Sequence, residues 1–292
     1  MRRAPQSHPA PDTGLTARHG PSLTVHRVFR LPLSCPVVSP TRHTWAHRDA
    51  PGPSLRPMAD RERVEWHYHD VNQLAWPGRG VLRMTTAQGS WVVPPYRAVW
   101  LPAGVPHAHQ AHGPSELRCL VFPATVNPLR LAGPAVLAVS PLLRELIAAL
   151  TGPDAPTGRP ARTLEQAALD QLRQAPELPL GLPQPRDPRL RDLAALLTAD
   201  PGDPRTLAEL GRAVGAGERT LSRLFRRELG LSFPQWRAQL RLHHALVLLA
   251  EGRSVTATAT ACGYHSPSAF IEAFRHAFGT TPGRHRHDRD AT

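Results

Sequence analysis

The amino-acid sequence predicts an α+β protein in two domains. An N-terminal all-β barrel is followed by an all-α domain with two tandem helix–turn–helix units joined by a long helix. Three observations carry this reading. Between residues 64 and 122, short runs rich in Val, Trp, Leu and Tyr alternate with Gly and Pro turns. From Pro188 onward the pattern is helical throughout. Within that half, a short helix, a tight Gly turn and a second helix occur twice.

The elements follow in order. Residues 1–57 hold 10 of the 33 prolines, with scattered Arg, His and Ser and no persistent period. They read as a Pro/Arg-rich disordered arm, or as sequence ahead of a true start near Met58. Residues 58–123 form the barrel, with strands expected at Glu65–His69, Gln73–Trp76, Gly80–Thr86, Ser90–Val93, Ala98–Leu101, His107–His112 and Leu117–Phe122. Residues 124–176 form a helical connector. Leu142, Leu143, Leu146, Ile147 and Leu150 share a face of one helix, and Leu164, Ala168, Leu169 and Leu172 share a face of the next. These apolar faces either supply a homodimer interface or pack back on the barrel. Residues 177–187 continue a stretch from Pro176 to Pro185 with four prolines in ten residues, the composition of a stiff extended linker.

Residues 188–292 hold the helical domain. Helices are expected at Pro188–Thr198, Leu207–Val214, Glu218–Leu229, Phe233–Ala250, Val255–Cys262 and Pro267–Phe278. Thr206, Gly217, Ser232, Ser254 and Ser266 stand where N-caps belong. Gly230 and Gly279 stand just past helix ends, where a left-handed cap is needed. Pro234 and Pro267 fall in first turns, where a missing N–H is harmless.

Charge narrows the function. All 35 basic residues are arginine, and the formal net charge is +12. Residues 1–57 carry net +6, residues 58–200 net +1 and residues 201–292 net +5. The barrel region is therefore nearly neutral, while the helical domain has a basic excess suited to nucleic acid. No run of about 18 apolar residues exists, which argues against a membrane-spanning helix. Cys35, Cys119 and Cys262 are dispersed and odd in number. They argue against a disulfide framework or thiolate zinc site and fit a reducing cytoplasm.

Facing within the helical domain is informative. In Glu218–Leu229, Leu221, Leu224, Phe225 and Leu229 fall on one side, and Arg219, Ser222, Arg223 and Arg226 on the other. An apolar back with an arginine front suits a helix lying in a DNA major groove; a solvated helix surface is the plainer alternative. Three segments then carry a resemblance: Glu218-Arg-Thr-Leu-Ser-Arg-Leu-Phe-Arg-Arg-Glu-Leu-Gly230, Cys262-Gly-Tyr-His-Ser-Pro-Ser-Ala-Phe-Ile-Glu-Ala-Phe-Arg275 and Phe278-Gly-Thr-Thr-Pro-Gly-Arg284. Together they resemble the DNA-binding domain of AraC/XylS-family bacterial transcription regulators, over about a third of the chain. The resemblance implies double-stranded DNA as partner. It implies base reading by Arg219, Ser222 and Arg223 of the first recognition helix, with Arg226 and Arg227 on phosphates. In the second recognition helix the corresponding positions are Pro267, Ser268 and Glu272. Pro267 lacks an N–H and Glu272 repels phosphate unless it accepts from cytosine, so the first unit is expected to dominate readout. Two recognition helices in one chain are expected to meet successive major grooves, about 34 Å apart.

The barrel carries a second resemblance. His67-Tyr-His69, then Gln73, then Pro102-Ala-Gly104-Val-Pro-His107 are similar to the two motifs of the cupin barrel. The resemblance implies an effector site at His67, His69, Gln73 and His107, with Trp76 nearby, and a divalent transition metal held by His67, His69 and His107. Strand period two lets His67 and His69 share a face. Gln73 stands where metal-binding cupins carry Glu, a poorer ligand, and the alternative is that these histidines pack within the barrel mouth. His109 and His112 lie beyond the motif and read as structural or exposed. The expected whole is a DNA-binding regulator, not an enzyme, whose barrel senses a small molecule or metal. The alternatives are a metal-dependent cupin enzyme with an accessory DNA-binding domain, and a constitutive DNA binder with a non-sensing barrel.

Overall fold

Glycine decides the shape of the sheet. The computed structural model describes residues 45–178 and 181–285. Strand β4 (Val71–Thr86) and strand β7 (His107–Pro123) each run without a break through glycines that the sequence reading took as turns. The two strands pair antiparallel along their length, with register shifts around Pro77, Arg79 and Val81. Gly80 has φ +76° and Gly113 φ +72°, so both sit in the left-handed region that a bulge requires. Four short strands expected from the sequence are thus two long bent ones.

The described residues form a ten-stranded curled sheet. Its other strands are β1 (Ala46–His47), β2 (Ser54–Met58), β3 (Arg63–Tyr68), β5 (Gly89–Val93), β6 (Arg97–Leu101), β8 (Ala135–Ala138), β9 (Glu177–Leu178) and β10 (Leu182–Pro183). Strand β7 is central and pairs with β2, β3 and β4.

Alternation along the strands makes two faces. The inner face packs Met58, Val64, Ala75, Leu82, Met84, Val99, Leu101, Ala111 and Cys119. The outer face is covered in two places. Leu74, Trp76, Trp100, Leu120 and Phe122 pack under helices α1 (Pro141–Thr151) and α2 (Gly158–Gln174). Val81 and Val92 join a second core with helices α6 (Phe233–Ala250), α7 (Val255–Ala261) and α8 (Pro267–Phe278).

Three boundary expectations change. The sheet starts before Met58, because β1 and all of β2 except Met58 lie inside the segment read as a disordered arm. A start at Met58 would remove both strands. Residues 1–44, including Cys35, lie outside the described residues. The segment read as a stiff extended linker is tied to the sheet, since β9 pairs with β8 and β10 with β5. The apolar faces of α1 and α2 are spent on the sheet: Leu143, Leu146, Ile147, Leu150, Ala168 and Leu172 are buried there. A dimer interface made of those faces is therefore corrected to intramolecular packing. Leu142 alone of that set is exposed, at 54%.

The helical domain follows its caps. Helix α3 (Pro188–Ala199) is capped by Asp187. Helix α4 (Leu207–Ala213) opens with a capping box of Thr206 and Glu209. Helix α5 (Glu218–Leu224) runs into a π-helical turn, Phe225–Leu229, closed by left-handed Gly230. Ser232 and Gln235 form the capping box of α6, Ser254 caps α7, and Ser266 caps α8, which ends at left-handed Gly279. The first unit has its own core of Leu190, Leu193, Leu210, Leu221, Leu224, Phe225, Phe233, Trp236 and Leu240. No helix among the described residues is long and apolar enough to cross a membrane.

Candidate functional site

The histidine cluster is assembled by strand pairing. His67 and His69 lie two apart on and just after β3, and His107 opens β7 directly opposite His67. Two backbone amides hold the approach loop: Ala103 N–H donates to the Asn72 side chain at Oδ1, 2.9 Å, and Gly104 N–H to His69 O at 2.8 Å. The ligand atoms of His67, His69 and His107 all lie within 4.8 Å of one another, and all three residues are buried.

Three carbonyls fix the rings. His67 Nδ1 lies 2.7 Å from Glu65 O, His69 Nδ1 2.5 Å from Arg48 O, and His107 Nδ1 2.8 Å from Val105 O. A carbonyl only accepts, so each Nδ1 carries the hydrogen. In the neutral ring the Nε2 lone pair is then free. This is the outer-shell arrangement of metal-binding histidines. Burial holds the pKa of His67 below its ordinary value and pushes His107 down to about 4, so both rings are neutral at neutral pH. His107 Nε2 is buried with no hydrogen-bond partner among the described residues. The donor set therefore fits a transition metal, with imidazole ligands suited to Zn, Cu, Fe or Ni.

Other expected site residues fall differently. Gln73 is buried on the inner face, beside the Cys119 thiol, with its Oε1 unpartnered among the described residues. Trp76 is corrected out of the effector site. It lies on the outer face under α1 and α2, its Nε1–H donating to Pro95 O at 2.6 Å. Alternation from Gln73 to Trp76 reverses the side. Burial pushes the Cys119 and Cys262 thiols up to about 12, so both are inert apolar fillers. Sequence reasoning missed two contributors. Arg48, in the supposed arm, supplies a ring-fixing carbonyl. His109, read as structural or exposed, is 4% accessible, with its ring against His67 and His107. The signal was present, since His107 and His109 repeat the spacing of His67 and His69.

In the helical domain, the first recognition helix presents its basic side outward. Arg219, Arg223, Arg226 and Arg227 are exposed, Ser222 is half-buried, and Leu221, Leu224 and Phe225 are buried behind them. Glu228 turns inward, its carboxylate accepting from the Arg186 and Asp187 amides at 3.0 and 3.1 Å. On α8, Pro267, Ser268 and Glu272 are exposed. Glu272 borders a shallow depression with Ala269, Ala273, Arg275 and His276. Buried Phe270, Phe274 and Phe278 anchor that helix.

Two recognition helices on one basic domain, joined to a curled sheet, define a DNA-binding transcription regulator with an N-terminal β domain. Comparison with known proteins agrees. Residues 210–288 match the family model described as a helix-turn-helix domain. The HTH-type transcriptional regulator NimR of Escherichia coli K12 is 36% identical over 253 residues, covering 84% of this chain and 89% of that protein. The HTH-type regulator RipA of Corynebacterium glutamicum is 38% identical over 101 residues, 35% of this chain and 30% of that one. A solved AraC-type regulator from Chromobacterium violaceum is 31% identical, covering 35% of this chain and 92% of that one, with a TM-score of 0.34. The chain belongs to the AraC-type family of HTH transcriptional regulators.

Proposed function

We propose that this regulator is controlled by an effector bound at the histidine cluster, with a divalent transition metal as the best-fitting occupant. One observation carries the reading: three backbone carbonyls leave three Nε2 lone pairs free, on rings whose ligand atoms lie within 4.8 Å of one another. When bound, the metal supplies a Lewis-acid centre to which a small-molecule effector can add. His67, His69 and His107 would hold it. Gln73 in place of a carboxylate disfavours cupin enzymology, so the proposal assigns no catalytic role. Arg219, Ser222 and Arg223 would read bases, Arg226 and Arg227 would bind phosphates, and Ser268 and Glu272 would make the weaker second contact. A regulator of this class works where bacterial DNA lies, and we place it in the cytoplasm.

The sheet shares a core with α6, α7 and α8, which supports transmission from the cluster to the second unit. The test is metal analysis of the purified protein, then fluorescence anisotropy on a selected operator with and without metal. Operator affinity that changes with metal supports the proposal. A protein that binds DNA identically in both states is a constitutive binder, and the proposal falls. Light scattering in the same samples tests a homodimer, which would use surfaces other than the buried faces of α1 and α2.

A further inference from the structure

The sequence departs from the cupin pattern at Gln73, where a carboxylate would complete the ligand set. Gln73 faces the Cys119 thiol. On β7, however, a second His-x-His pair lies against the first. His67 stands opposite His107 in register, and a bulge then sets Val64 opposite His109. His109 is therefore the diagonal neighbour of His67, as His69 is of His107 on the other side.

Ring spacing puts a fourth imidazole beside two of the other three. Imidazole nitrogens lie about 2.0–2.1 Å from such a metal, which puts the ring centres of tetrahedral ligands roughly 5 Å apart. Around the first three residues the centroid distances are 4.9 Å (His67–His69), 4.4 Å (His67–His107) and 5.4 Å (His69–His107). Around His109 they are 5.5 Å to His67 and 5.0 Å to His107. Both distances are close to those of the first set; the ligand atoms within 4.8 Å of one another are those of His67, His69 and His107, so His109 joins them by turning its ring.

His109 also differs from its neighbours in its bonds. Carbonyls hold Nδ1 of His67, His69 and His107, whereas His109 Nδ1 is buried with no hydrogen-bond partner among the described residues. No carbonyl holds this ring at Nδ1 against a turn towards a shared ion. A buried nitrogen without a partner is relieved when it binds one.

We infer that His109, not Gln73, supplies the fourth protein ligand, making a four-imidazole site selective for zinc, copper or nickel. An all-nitrogen set lacks the carboxylate that favours manganese and completes the ligand triad of non-haem iron(II). The inference rests on the proposed metal site at His67, His69 and His107, and deepens it.

The test uses the full chain, stripped with a chelator and loaded with Zn²⁺, or with Co²⁺ as a spectroscopic probe. X-ray absorption on the zinc-loaded wild type counts the imidazoles; four are expected. The Co²⁺ protein should show the intense visible bands of a four-coordinate site. His109→Gln should weaken Zn²⁺ binding at least tenfold and dim those bands, while Gln73→Ala leaves both unchanged. Thermal melts of the metal-free variants confirm that they fold, and the absorption count needs no variant. Three imidazoles with one oxygen, or a His109→Gln protein with wild-type affinity and bands, overturns the role of His109 and leaves the three-histidine site standing. A wild-type chain that takes up no metal overturns both.

Discussion

Arg97 on β6 donates from Nη2 to the Phe278 carbonyl at the end of α8, 3.0 Å across a separation of 181 residues. The guanidinium thereby caps the negative end of the second recognition helix. The Tyr96 ring beside it packs edge-on against Phe278, with centroids 6.3 Å apart. The sheet therefore holds the second unit by its recognition helix, whereas the first unit keeps a core of its own.

Arg97→Ala should remove this cap. A charge-assisted bond of this kind contributes about 1–3 kcal/mol. Thermal denaturation should show a loss in that range. Metal uptake by the histidine cluster should stay as in the wild type, while any effect of metal on operator affinity should shrink. An unchanged metal response would show that Arg97 does not carry the coupling.

Arg223→Ala should weaken binding to a selected operator by about 1–3 kcal/mol and relax preference at one base pair. Arg226→Ala and Arg227→Ala should instead weaken all sequences alike, each reducing the salt slope by about one. Anisotropy titrations at several salt concentrations separate the two behaviours. Equal losses on operator and scrambled DNA for Arg223→Ala would remove it from base reading.

Acid should destabilise the joint between sheet and α6. Burial pushes His112 down to about 4, and the groups facing it are Arg83, Asp60, Arg61 and His244. In the unfolded chain the same ring titrates near 6.5. Between these values the unfolded state binds the extra proton, so stability is lost as pH falls from about 6.5 to about 4. The full shift corresponds to about 3 kcal/mol. Melting temperature should fall over that window, and the fall should be shallower in His112→Gln.

Gly80→Ala and Gly104→Ala should differ although both positions have φ +76°. A Cβ on Gly80 would lie 2.2 Å from Ser115 Oγ and 2.6 Å from Pro114 O, whereas one on Gly104 meets nothing within 4 Å. Gly104→Ala carries only backbone strain, about 1–2 kcal/mol. Gly80→Ala must also push β4 from β7, and chemical denaturation should show a clearly larger loss.

Much of the helical half was readable beforehand because its signals are local. Ser232, Ser254, Ser266, Gly230 and Gly279 each mark a helix end through their own backbone or side chain. The strands were harder. Gly80 and Gly113 look alike whether they make a turn or a bulge; only the pairing of β4 with β7 distinguishes the two. Trp76 falls on the far side of the sheet from the cluster because one residue of alternation separates the inner face from the outer. The motif pattern ends at His107, although strand period two puts His109 on the same side.

By itself the sequence determined the order of the two domains, the caps of the helical half, the arginine face of the first recognition helix and the three histidines of the cluster. These follow from short-range periodicity and from residue chemistry. Tertiary structure alone decided that Arg48 holds His69, that His109 lies against His67, that α1 and α2 spend their apolar faces on the sheet, and that Arg97 reaches Phe278. Each of these joins distant parts of the chain or depends on strand register, and only packing of the whole chain brings such partners together.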